Sequence, residues 1–155
     1  MPSKDRIIRD YFGTFAGILD KSGIVADRSQ LRPKPFSQRI QAGTSLTRLW
    51  DEPNGIRFID NSQLTFYEHV DVIDEQIIKI SYTYRFVSKD RKFTFRYDKD
   101  STQGDTDVWK KPNSELMWHP LHHLHFHDEE APRYKTHETS LEEILTFIRM
   151  SFVPR

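Results

Sequence analysis

Six of the seven histidines, His119, His122, His123, His125, His127 and His137, fall in one stretch near the C-terminus; His69 stands apart. Imidazole exchanges protons near neutral pH and is the commonest metal ligand. A packed core has no use for so many in so short a run. In an extended strand His123, His125 and His127 share one face, while His122 takes the other with Leu124 and Phe126. A His-x-His pair on a strand can begin a metal site, so His123, His125 and His127 are candidate ligands for Zn or another divalent metal. Three imidazoles on one straight strand rarely converge on one ion, so a carboxylate from elsewhere is required. Glu68, Asp98 and Asp128 are the candidates. The run has neither the His-x-His-x-Asp-His order of the metallo-β-lactamases nor a His-Glu-x-x-His helix.

The other chemistry open to these residues is metal-free phosphodiester cleavage. One group removes the ribose 2′-OH proton, another protonates the leaving oxygen, and a cation stabilises the charge that develops on phosphorus. Glu68 is in register with Leu64, Phe66 and Val70, so it points with them toward the core unless the strand slips or ends there. A carboxylate buried there must be paired or carry a raised pKa. Arg96 could clamp a phosphate, with Asp98 orienting it or a histidine. Tyr82 and Tyr84 share a face, with core packing as their ordinary role. The bland alternatives are a solvated histidine loop and a surface Arg96–Asp98 pair of little energetic weight.

The chain has 155 residues, with 23 Lys plus Arg against 23 Asp plus Glu, so its overall charge selects no partner. The charge is uneven locally. Arg28, Arg32, Lys34, Arg39 and Arg48 lie in a stretch without acidic residues, which suits either a solvated loop or an RNA-contacting surface. The absence of cysteine excludes disulfides and thiol chemistry and fits a cytoplasmic location. No apolar run is long enough to span a bilayer.

The elements that must position these residues follow from periodicity. Ile7, Ile8, Tyr11, Phe12, Phe15, Ile18 and Leu19 predict a helix over 4–21, capped by Ser3 and stopped at Ser22-Gly23. Residues 24–31 suggest a short strand, and 32–55 read mostly as loop ending in a turn at 51–55. The period then becomes two. Strands run through 56–58 and 64–70, then from Ile78 to Phe86, with Ile78, Ile80, Tyr82, Tyr84 and Phe86 on one face and Lys79, Ser81, Thr83 and Arg85 on the other. A hairpin at 88–91 returns through 93–98. Residues 99–118 read as an inserted polar loop, 119–137 as the histidine segment, and 139–152 as a capped helix. The expected fold is a single α+β domain: an antiparallel meander sheet of four to five strands, mainly within 24–98, with N- and C-terminal helices packed on one face.

The runs Ile56–Phe58, Ser62–Val70, Tyr82–Tyr84, Phe95-Arg96-Tyr97-Asp98, His122-His123-Leu124-His125 and Ser140–Leu145 resemble the TumE family of toxins from prokaryotic toxin–antitoxin pairs, over about residues 55–148. The family has a short link where this chain carries 99–118, and the first 50 residues match it poorly. The resemblance implies a small cytoplasmic toxin and a cognate antitoxin, typically a helix-turn-helix protein encoded by the adjacent gene. The residue types point further, to a metal-independent endoribonuclease. Its candidate catalytic residues are Glu68, Tyr84, Arg96, Asp98, His122, His123 and His125, with Glu68 or a histidine as base, a second histidine as acid and Arg96 on the phosphate. The alternatives are a metal-dependent hydrolase or metal-binding protein, and a non-catalytic interaction module.

Overall fold

A computed structural model describes residues 2–31, 46–50, 55–99, 122–127 and 134–153. The first helical stretch forms as expected, but in two pieces: α1 (Lys4–Gly13) and α2 (Phe15–Ser22). Ser3 caps α1 by accepting from the Arg6 N–H. At Thr14 the main-chain bonding tightens to an i→i−3 contact with Tyr11 O, and the Thr14 hydroxyl donates to the same carbonyl, which separates the helices. Gly23, at φ 70°, closes α2 in the left-handed conformation that glycine adopts without penalty.

The strand expected over 24–31 is reduced to a single bridge, Val25 to Phe58, followed by a 3₁₀ turn at Arg28–Leu31. Asp27 Oδ1 accepts from the Ser29 N–H at 2.8 Å, a local side-chain bond that favours a turn over a strand. Conversely, the stretch read as loop contains β1 (Leu46–Trp50), paired antiparallel with β3 from Leu46↔Val70 to Trp50↔Phe66. This strand is short and flanked by proline and glycine, so its signal is weak until the long neighbour supplies a ladder. The predicted turn at 51–54 and the loop at 100–118 lie outside the described residues.

The sheet continues with β2 (Ile56–Arg57), β3 (Gln63–Ile73), β4 (Gln76–Val87), β5 (Thr94–Lys99), β6 (His122–Phe126) and β7 (Tyr134–Lys135). The order is β1-β3-β4-β5-β6-β7, with β2 also on β3, and every named pairing is antiparallel. Five strands have five or more residues, which agrees with the expected meander; β2 and β7 have two each. Gly55 precedes β2 at φ 69°, and a Cβ there would lie 2.6 Å from Leu64 O, so the close approach to β3 requires glycine. Asp74 and Glu75, both at positive φ, make the two-residue turn between β3 and β4.

The last helix, α3 (Leu141–Ser151), is capped by Ser140, whose hydroxyl accepts from the Glu143 N–H. Ile8, Phe12, Phe15 and Leu19 from α1 and α2, with Leu141, Ile144, Leu145 and Ile148 from α3, pack on one face of the sheet against Leu64, Phe66, Val70, Tyr84, Phe86 and Phe95.

The expected alternation of β4 is overturned at its start. His69 pairs with Ser81 but Val70 pairs with Lys79, so Ile80 is the extra residue of a β-bulge. Because side chains alternate with period two, one extra residue exchanges the faces. Lys79 therefore joins the helix-covered face, and Ile78 is 41% exposed. Ile77, opposite Val72, packs against the core in its place.

Candidate functional site

Register places four polar side chains in one row across four strands. Glu68 pairs with Tyr82, Tyr82 with Lys99, and Lys99 with His122. All four positions fall on the helix-covered face. The row runs from the closed centre of the sheet at Glu68, 0% exposed, to a half-buried His122.

Glu68 does not escape to solvent. Tyr84 donates to its Oε2 at 2.6 Å and Tyr11, from α1, donates to its Oε1. Lys79 Nζ lies 3.7 Å from Oε1. The same ammonium donates to Tyr84 Oη at 3.2 Å and to Thr139 O at 2.8 Å, and it sits over the Tyr82 ring. A buried carboxylate is tolerable only with such compensation. Burial together with the Glu68 charge pushes the Tyr84 and Tyr11 hydroxyls well above the ordinary phenol value, so both remain proton donors.

At the open end, Tyr82 Oη accepts the Thr139 N–H at 3.0 Å and lies 2.9 Å from His122 Nδ1. The two rings stack with centroids 6.0 Å apart. With the ring proton on Nδ1 and donated to Tyr82 Oη, Nε2 carries the lone pair that can accept a proton. Burial and the neighbouring Lys99 charge push the His122 pKa below the ordinary imidazole value, so the ring is neutral at pH 7. Lys99 Nζ donates to Lys79 O and lies 3.8 Å from Glu138. Glu138 opposes this shift and His137 adds a smaller lowering; His137 Nε2 is 2.6 Å from Glu143 on α3.

The opposite face of β5 and β6 carries a second group. Asp98 pairs in register with His123, and Arg96 with His125. Arg96 Nε donates to Asp98 Oδ2 at 2.7 Å, while His123 Nε2 and His125 Nε2 lie 3.6 and 3.5 Å from that oxygen. His123 and His125 are 1% and 0% exposed. Their rings meet edge to face, with centroids 4.8 Å apart. Burial pushes the Asp98 carboxyl up, but the adjacent His123 and Arg96 outweigh it and hold the group below the usual carboxylate range.

The sheet thus divides the residues expected to act together. Glu68, Tyr84 and His122 are on one face; Arg96, Asp98, His123 and His125 are on the other. His127 joins neither group. It sits exposed in a left-handed turn after β6, against the Phe93 ring. Arg32, Lys34, Arg39, His119 and Asp128 lie outside the described residues. Arg28 falls in the 3₁₀ turn and Arg48 in β1, opposite Glu68 in register. The sequence reading missed Tyr11, Lys79, Lys99, Thr139 and the role of Tyr82. Only register could have found Lys99, and only the bulge could have found Lys79.

Among the described residues, no helix is long and apolar enough to cross a membrane. No curated protein and no solved structure matches the chain. The family described as toxin TumE matches residues 16–151 of 155, so the match begins at α2 and takes in much of the N-terminal region that had seemed foreign to it. The chain belongs to the TumE family, which makes it the toxin component of a toxin–antitoxin pair and implies an antitoxin partner.

Proposed function

We propose that this toxin acts on RNA in the cytoplasm as a metal-independent ribonuclease, and that the His122 end of the cross-strand row is its active site. The observation that carries this is the juxtaposition of a neutral, half-buried imidazole with an ammonium, His122 beside Lys99, at the open end of a row otherwise locked by hydrogen bonds. His122 Nε2 takes the ribose 2′-OH proton. The 2′-oxygen attacks phosphorus, Lys99 stabilises the added charge, and the 5′-oxygen leaves with a proton from His137. Tyr82 holds the base ring, and Glu68 serves through Lys79 and Tyr84 as a positioning residue, since both its oxygens are occupied in the core. This assignment moves the phosphate cation from Arg96 to Lys99.

The test is purified protein with single-stranded RNA in EDTA, comparing wild type with His122→Ala and Lys99→Ala. Cleavage with 2′,3′-cyclic phosphate ends that is lost in both variants is expected. Intact RNA with wild type, or equal cleavage by all three, would overturn the proposal. The antitoxin is proposed to be the helix-turn-helix product of the adjacent gene. Co-expression should yield a stable complex, and its failure to form would exclude that partner.

A further inference from the structure

We propose that Asp98, His123 and His125 bind one divalent transition-metal ion of the zinc type, on the sheet face opposite the His122 row. Each residue offers one donor atom, all three are buried, and the donor atoms lie within 4.8 Å of one another. The separations of 3.6 and 3.5 Å from Asp98 Oδ2 to the two imidazole nitrogens are too long for good hydrogen bonds. They are, however, close to the edge of a coordination tetrahedron. Ligands about 2.1 Å from zinc stand about 3.4 Å apart. The edge-to-face packing of the rings brings both Nε2 atoms toward the one carboxylate.

Asp98 has capacity for the ion as well as for Arg96. Its Oδ1 is buried and makes no hydrogen bond among the described residues. Arg96 on Oδ2 then serves as the outer partner that fixes a ligating carboxylate. Two imidazoles and one carboxylate are the donors that zinc-type ions accept, and they leave a coordination position for water or a further ligand.

The site has a structural consequence. Its ligands on β5 and β6 adjoin the Lys99↔His122 pair in register, so the ion would brace the two strands that carry the proposed active site from behind. The metal proposal does not depend on the RNA proposal.

The test is untagged protein, stripped with a chelator and titrated with Co²⁺, followed by visible absorption and then by Zn²⁺ competition. One equivalent of Co²⁺ displaced by Zn²⁺ is expected, with a melting temperature that rises with metal concentration. His123→Ala and His125→Ala should lose that stoichiometric step, and His127→Ala should keep it. Absence of a one-equivalent step in the wild-type protein would overturn the site without reference to any variant's folding. So would a step that survives in folded His123→Ala or His125→Ala. RNA cleavage in EDTA is a separate readout, so failure of either proposal can be told from failure of the other.

Discussion

On the helix-covered face, Glu68 meets Tyr11, Tyr84 and Lys79; on the opposite face, Asp98 meets Arg96 and two imidazoles. Both carboxylates are nearly inaccessible, at 0% and 7%. Glu68 is satisfied by phenols that stay protonated far above neutral pH, with an ammonium behind them. Its network is closed, and the proposed activity is assigned to the row's open end at His122. Asp98 Oδ2 accepts a hydrogen bond from Arg96, while the two imidazole nitrogens stand off at 3.5 and 3.6 Å, the spacing of ligands around a shared ion. The same residue types can therefore close a core network, as around Glu68, or gather buried donor atoms at one point, as around Asp98.

The largest expected effect separates the faces by activity. His122→Ala should lower RNA cleavage by about 10²- to 10⁴-fold, while His125→Ala in metal-free protein should change it far less. Equal losses on both faces would erase the distinction. Stability should divide them in the same direction. Glu68→Ala leaves Lys79 buried beside two phenols and should cost about 3–5 kcal/mol in urea unfolding. Asp98→Asn should cost about 1–3 kcal/mol, because Arg96 is only partly buried and can turn to solvent.

The pH profile of cleavage tests His122 directly. Its pKa is lowered, so the ring stays neutral below the ordinary imidazole value of about 6.5 and activity should fall only as pH drops beneath that value. An acid limb above 6.5 would contradict the environment described. On the alkaline side, Tyr84 has a raised pKa in the folded state. Stability should be full below pH of about 10 and decline above it, where the unfolded phenol ionises and the folded one does not. Thermal unfolding between pH 8 and 11 measures this, and Tyr84→Phe should flatten part of the slope. The smallest effect concerns the bulge. Ile78→Thr should change stability by less than about 0.5 kcal/mol, whereas a regular β4 would bury Ile78 and make the substitution costly.

Much of the fold was legible because its signals are local. The stripe from Ile7 to Leu19, the caps at Ser3 and Ser140, and the alternation of β3 each follow from a few neighbouring residues. The inward direction of Glu68 was legible by the same alternation, as was the placement of His122 opposite His123 and His125. The bulge at Ile80 was not, because one unpaired residue leaves no mark on periodicity. It exchanged Ile78 and Ile80 for Lys79 and so supplied the cation that makes a buried Glu68 tolerable. β1 was missed because five residues between proline- and glycine-rich segments gain their order from β3.

The sequence by itself determined the element types, the sheet's buried face, the toxin-family pattern and the residues worth suspecting. Tertiary structure decided which of them meet. Alternation assigns a side chain to a face of its own strand, but only the pairing of β3, β4, β5 and β6 aligns Glu68, Tyr82, Lys99 and His122 in one row. That same pairing sends Arg96 and Asp98 to the far side with His123 and His125, since adjacent residues on a pleated strand cannot share a face.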